Sequence, residues 1–600
     1  MNKKRKTILS LGFGITGLMI VIFLYITLSN IQYRKRIPEL NDTQFLSAAL
    51  KAQIQEAFKS AYRLPSAKNL GELGLVYHSS AHYNEASSCY QLAIKRSKSD
   101  WKWNYYIGYL NMELGMPDLV VENFKRVLEI NEEADLARYY LGEAYRNLKQ
   151  YDLAEDAFSK ITANPKIHST SAFSREDNFP LDIYAMFQLS KIYFDRGQPE
   201  QAENTLITLL QQNDVYGPAF RLLGNIYKMK GEISQGEEYI IRANDLYLYT
   251  PPVDTLIDKI SLISRSELYL MKKIDEAVFH GYSDWAFELV EHGLKYIPEN
   301  KTMLSKAIKV YVGKNMKQKA AGLTERHLNF FLENYDELVT TGNLFFQINM
   351  YEVAAEYWTA ALSLKSEDAD VYKNLAMCFW KMEDPRRAEE VLIKAAEAYR
   401  DNPENLAEII LVFLQFEMYD KANRYLKKFN AESASTPKIQ KLHGKVAEKN
   451  GDLNRAIAMY ESSFRGNPRD KETIHFIGDL LVYKKNWRKY IDFYKEVLVY
   501  NPNDPEYLEK MSTIYLSCPD KSLRDLDQCI KYSIRAFSHK NSTTEILLTT
   551  GKNLALALAG KGDKENATKT MKKTIHISQI THAPENVKQE LEQIYRAIQN

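Results

Sequence analysis

The chain has 600 residues, a charged fraction of 26% and a formal net charge of +2, so it lacks the cationic excess that draws phosphate backbones, and nucleic acid is excluded as a general partner. Eighteen Pro and 25 Gly are too few for a loop-rich β protein or a disordered polymer; abundant Leu, Ala, Lys, Glu and Tyr point to an all-α chain. The four Cys form no C-x-x-C pair and have no metal-spaced His, so no zinc, haem or redox motif is present and neither cofactor nor metal is expected.

In chain order, residues 1–6 carry Lys3, Lys4, Arg5 and Lys6, and Thr7 to Leu28 then run without a charge. As a helix at about 1.5 Å per residue, the stretch 7–28 spans roughly 33 Å, one hydrocarbon core. A cleaved signal peptide would have a shorter apolar core and a small-x-small site, which Thr27-Leu28-Ser29-Asn30 does not supply, so 7–28 is read as an uncleaved signal anchor. The basic residues before it outweigh Arg34, Lys35 and Arg36 after it, which places 1–6 in the cytoplasm as a short tail and the bulk outside, on the periplasmic side of a bacterial inner membrane. Residues 29–66 form a spacer or capping segment, with apolar residues at helical spacing from Asp42 to Ala61 and Asp42 or Thr43 placed as cap.

From residue 67 the sequence repeats itself. Gly74, Gly108 and Gly142 are 34 residues apart; Leu73, Ile107 and Leu141 precede them, and Ala86, Val120 and Ala154 follow, then Tyr90, Phe124 and Phe158. Positions 4, 7, 8 and 11 of this unit stripe one helix and positions 20, 24 and 27 a second, so each unit closes as a hairpin, with small residues where backbones meet and aromatics between neighbours. The array 67–250 is interrupted near 165–182, between Pro165 and Pro180. Pro251-Pro252 opens an extra helix outside the period at 251–266. Seven units start in phase at Glu267, Lys301, Tyr335, Ala369, Pro403, Pro437 and Lys471 and fill 267–504, with Ala286, Ala320, Ala354, Ala388, Ala422, Ala456 and Tyr490 at position 20. Divergent units and a cap occupy 505–600. Cys518 and Cys529 in this region could bridge within one hairpin in an oxidising compartment or stay as buried thiols.

This pattern resembles the tetratricopeptide-repeat family, with its large residue at position 4, Leu-Gly at 7 and 8, Tyr at 11, Ala at 20, an aromatic at 24 and Ala at 27. The resemblance implies an α-solenoid superhelix, here with one N-terminal transmembrane helix, whose concave groove is lined by positions 2, 5, 9, 12 and 13 of each unit. In the first five units the groove candidates are Lys102, Tyr105, Tyr109, Tyr139, Glu143, Arg146, Lys191, Arg221, Asn225 and Lys228. Interleaved aromatic and basic side chains suit an extended peptide carrying acidic groups or a free carboxylate, although abundant Tyr also serves as packing material. The Lys and Asn pattern of the family's carboxylate-clamp subgroup is not reproduced. Trp101, which opens the run Trp101-Lys102-Trp103-Asn104-Tyr105-Tyr106, is read as sealing the joint with the preceding hairpin, and Lys438, Lys441 and Lys445 as a solvated helix face.

The block from Leu70 to Gly115 and the later YLYTPPVDTLIDKISLISRS are similar to segments of exported bacterial repeat proteins that can carry c-type haem domains; with no C-x-x-C-H here, no haem role follows. His78 and His82 straddle a turn and are not read as a metal pair. No H-E-x-x-H, G-x-S-x-G or P-loop string occurs, and phase is nowhere lost for long enough to hold a catalytic domain, so no enzyme activity is expected. The expected function is a non-catalytic, membrane-anchored scaffold that binds proteins or extended peptides through its groove in the bacterial cell envelope. The alternatives are an accessory subunit of an envelope enzyme or of a secretion or polysaccharide-export machine, and a docking platform facing the cytoplasm.

Overall fold

The computed structural model describes residues 19, 21–40, 42–163, 179–246, 250–429 and 431–599, and among these every regular element is helical. Most of the apolar stretch 7–28, namely 7–18 and 20, lies outside the described residues, as do 164–178 of the first insertion. Among the described residues no helix is long and apolar enough to cross a membrane. The part that is described belongs to a helix over 21–34, whose Phe23 and Tyr25 are 68% and 74% exposed.

The chain divides into two units, Met1–Val353 and Ala354–Asn600. In the first, α1 (Ala48–Arg63) precedes the hairpins α2–α3 (Ala67–Ser79, Tyr83–Arg96), α4–α5 (Trp101–Glu113, Pro117–Ile130), α6–α7 (Asp135–Asn147, Tyr151–Ala163), α8–α9 (Leu181–Asp195, Pro199–Gln212) and α10–α11 (Gly217–Met229, Ile233–Asn244). The unpaired α12 (Thr255–Ile263) follows, then α13–α14 (Glu267–Phe279, Ser283–Tyr296), α15 (Lys301–Gly313) against the broken pair α16 (Lys317–Ala321) and α17 (Thr324–Phe331), and α18 (Tyr335–Gln347). The division between the units falls within α19 (Tyr351–Leu364). In the second unit the hairpins begin at Ala369, Pro403, Pro437, Lys471, Pro505 and Thr544, and a final helix, Glu585–Gln599, ends the described chain.

Two local devices recur every 34 residues and explain why these helices start and stop where they do. Ser66, Asp100, Ser266, Asn300, Asn334, Asp368, Asn402 and Asp504 each accept a first-turn backbone N–H, satisfying one of the donors a helix start leaves open. At the other end of each first helix, Gly115, Lys149, Gly281, Asn315, Asn349, Glu383, Glu417, Gly451 and Lys485 take positive φ. Around Gly115 the two closing bonds are Gly115 N to Met112 O at 3.1 Å and Met116 N to Asn111 O at 2.9 Å, the double bond of a left-handed helix stop. An L side chain is strained there and glycine is not. Glu383→Gly and Glu417→Gly are therefore each expected to raise the stability of the C-terminal unit by about 0.5–1 kcal/mol; thermal unfolding checks this, and an unchanged or lower midpoint contradicts it.

Between the helices of a hairpin, the glycine at position 8 lies on the aromatic ring at position 24. A Cβ on Gly74 would stand 2.7 Å from the Tyr90 ring, and one on Gly142 2.7 Å from the Phe158 ring. Ala86, Ala154, Ala202, Ala388 and Ala456 are fully buried on the facing helices. All four cysteines are buried free thiols, Cys518 and Cys529 included, and burial pushes the Cys529 thiol up to about 11.

The segment before the repeats is fastened down. α1 begins at Ala48, capped by the Ser47 side chain rather than by Asp42 or Thr43. Arg34 donates to Tyr62 O and Arg63 O at 2.7 and 2.9 Å, Tyr77 donates to Pro38 O at 2.9 Å, and Ile37 is buried. Arg96, at the end of α3, donates to Ser29 Oγ and Asn30 Oδ1 at 2.7 and 2.8 Å.

Candidate partner-binding face

In the N-terminal unit, α1, α4, α6 and α8 converge on the segment 250–266, which includes α12. Tyr105 donates to Asp254 Oδ2 at 2.6 Å, Tyr140 donates to the same oxygen at 3.2 Å, and Asp254 Oδ1 accepts Leu256 N and Ile257 N at 3.0 and 3.1 Å. Tyr106 donates to Leu256 O, and the Tyr184 hydroxyl meets that of Thr250. At the far end the Gln53 amide donates to Ile263 O and accepts from Arg265 N, while His292 Nε2 holds Ser264 O at 2.7 Å. Ile257, Ile260, Ser261 and Ser264 are buried. Residues 251–266, the extra helix outside the period, thus pack on the tyrosine-bearing face of the N-terminal repeats.

This placement redistributes the groove candidates. Tyr105 and Tyr139 are buried with their rings in the core, so neither presents a surface to a partner. Tyr109 is half-buried against Tyr140 and lines a cavity of about 400 Å³ beside α12, with Asp254, Asp258, Lys273 and Trp285. Burial pushes the Asp254 carboxyl up to about 6, against the Tyr105 bond and the two backbone donors, which favour its ionised form.

Beyond α12, Tyr139, Glu143, Arg146 and Lys191 come together. Glu143 Oε1 accepts from Tyr139 at 3.3 Å and from Gln188 Nε2 at 2.8 Å. Burial raises the Glu143 carboxyl, opposed by the Lys191 charge, and burial together with neighbouring Arg146 brings the Lys191 ammonium down to about 8. Arg146 Nη1 stands 3.4 Å from Asp195, while its buried Nε has no hydrogen-bond partner among the described residues. Arg146 and Lys191 are thus two half-buried cations set among the carboxylates of Glu143 and Asp195, with one Arg146 N–H left open. Lys102, Arg221, Asn225 and Lys228 are not part of this cluster: Lys102, Arg221 and Asn225 are exposed, Arg221 donates to Asn244 Oδ1, and Lys228 stands 3.7 Å from Glu237.

Three other groups singled out in the sequence are also placed by the structure. Trp103 packs on the preceding hairpin, its ring covering Gly71, where a Cβ would stand 2.1 Å away, and Trp101 is partly buried against the same core. Lys438, Lys441 and Lys445 are not a free solvated face, because they pair with Glu408, with Asp470 and Glu472, and with Glu472 of adjoining hairpins. His78 is buried between Tyr90 and Glu113, at 3.2 and 2.6 Å, while His82 meets Ser80; no set of three metal-ligating side chains gathers among the described residues. The residue that the sequence reading passes over is Asp254. Its signal is an acid just after Pro-Pro in a stretch off the period, with groove-side tyrosine hydroxyls needing an acceptor.

Models of the tetratricopeptide repeat match residues 121–166 and 339–403, and a further one matches 67–100. The TPR repeat-containing protein MJ1428 of Methanocaldococcus jannaschii is 24% identical over 185 residues, which span 30% of this chain and only 31% of that relative. Among solved structures, MamA is 18% identical over 29% of this chain and 93% of its own, with a TM-score of 0.25. YrrB, titled a TPR protein with an unusual peptide-binding site, is 20% identical over 33% of this chain and 92% of its own, with a TM-score of 0.25. The Cut9–Hcn1 structure is 13% identical over 84% of this chain and 99% of its own, with a TM-score of 0.23. With three segments matching the repeat models and the caps, turns and glycine–ring contacts recurring at a spacing of 34, the chain carries tetratricopeptide repeats.

Proposed function

We propose that this chain is a non-catalytic scaffold, held in a bacterial inner membrane by residues 7–28 with its bulk on the periplasmic side, that gathers partner proteins through extended acidic segments. One observation carries the binding reading: with Tyr105 bonded to the chain's own segment 250–266 and Tyr139 buried, the candidates still facing outward are mostly cationic, with Arg146 and Lys191 side by side. The uncharged run 7–28, and the exposed apolar side chains on its described part, support the anchor.

The test is crosslinking capture by the full chain in membranes, with a synthetic acidic peptide ending in a free carboxylate as competitor. Arg146→Gln, Lys191→Met and Arg221→Gln together are expected to lower peptide-competable capture at least about tenfold, the loss of one to two charge-assisted bonds, without shifting the unfolding midpoint. Tyr105 stays intact in this variant because its ring belongs to the core. Undiminished capture would place the partner on another face. Cleavage of the bulk by protease in spheroplasts, but only after lysis if the chain faces inward, separates the exported reading from the cytoplasmic one.

A further inference from the structure

We infer that the foot of the N-terminal unit is a lipid contact, in which Lys95, Arg96 and Lys98 bind the anionic phosphates of the membrane that holds residues 7–28; this rests on the anchored reading above. The helix over 21–34 runs unbroken out of the uncharged stretch, and Leu28 is the last residue of that stretch. Arg96 grips Ser29 and Asn30 and lies over the Tyr33 ring, 5.0 Å from its centroid. The end of α3 is thereby fixed beside residues 29–33, roughly 2–8 Å along the helix axis from Leu28. The polar layer of one leaflet is about 5–7 Å deep, so Arg96 stands inside it.

Lys95 and Lys98 flank Arg96 and are exposed. Among the described residues none of the three forms an ion pair, whereas the nearest acid in the chain, Asp100, caps α4. One turn beyond Asn30 on the same helix, Arg34 binds the carbonyls of Tyr62 and Arg63, bringing Tyr62 and Leu64, 51% and 53% exposed, beside the helix end. Unpaired cations with an aromatic and an aliphatic side chain near them are what a headgroup layer accommodates. Because both clamps are hydrogen-bonded, no free linker separates the repeats from the bilayer, and the height of this collar is set by the helix itself.

The native thiols are all buried, so Ser99→Cys beside the collar, or Ser234→Cys on exposed α11 as control, gives a single reactive site in the full chain. Each is reconstituted in phosphatidylcholine vesicles with or without phosphatidylglycerol and labelled with an uncharged maleimide. Anionic lipid is expected to slow labelling at position 99 by about fivefold or more, with under about twofold change at position 234, and Lys95→Glu with Lys98→Glu is expected to abolish the slowing. Equal rates at position 99 in both lipids, in chains that resist alkaline extraction, would overturn the collar while leaving the anchor standing. Slowing that survives the two Glu substitutions would overturn it as well. Extraction of the chain by alkali would remove the anchored reading and the collar with it.

Discussion

Tyr105→Ala is expected to destabilise the N-terminal unit by about 4 kcal/mol or more, the cost of emptying a fully buried aromatic site, because the ring packs on Phe124 and Tyr140 and its hydroxyl is the shorter of the two tyrosine donors on Asp254. Tyr105→Phe separates packing from hydrogen bonding. It keeps the ring and removes a bond to a carboxylate, for an expected loss of about 1.5–3 kcal/mol at neutral pH.

The pH dependence has a definite sign. Asp254 titrates near 6 in the folded chain against an ordinary 3.8, so the folded state holds its proton more tightly than the unfolded one. Stability from this group is complete below 3.8 and is lost as pH rises through 6, an effect on the order of 3 kcal/mol. Since the Tyr105 bond favours the ionised carboxylate, Tyr105→Phe should cost more at pH 8 than at pH 5, and Asp254→Asn should flatten the slope. Unfolding followed at the two pH values checks both, and a Phe variant equally affected at each contradicts the assignment.

The second large effect is expected at the hairpin seam. Gly142→Leu should destabilise the N-terminal unit by about 3 kcal/mol or more, at the upper end of overpacking costs, because even a Cβ would lie 2.7 Å from the Phe158 ring, which is itself fully buried and cannot swing aside. Adding Phe158→Ala makes room for the leucine, so the double variant should recover at least about 1 kcal/mol relative to additivity. Strictly additive losses in chemical denaturation would mean that the two side chains do not share that space.

These seams are legible in the sequence because each is a local requirement repeated at fixed spacing. A glycine at 142 with an aromatic at 158, a capping side chain at 100 or 300, and a residue tolerating positive φ at 115 or 281 are all set within one hairpin. What the pattern does not carry is the destination of 251–266. A helix outside the period has no neighbour assigned by phase, and the bond that locates it joins Tyr105 to a residue 149 positions later. Tyr105, read as a groove residue, is therefore buried, since the acceptor for its hydroxyl comes from a distant part of the same chain. Lys441 shows the same limit: its spacing suggests a free face, while the Asp470 and Glu472 that hold it belong to the next hairpin.

The most direct test of this account is amide hydrogen exchange across Thr255–Ile263 in the full chain. If the N-terminal repeats close around their own segment, these amides exchange as slowly as those of α4 and α6, and Tyr105→Phe speeds them selectively. Rapid exchange over Thr255–Ile263, with α4 and α6 still protected, would show that the inner face is open and that Asp254 does not hold the place assigned to it.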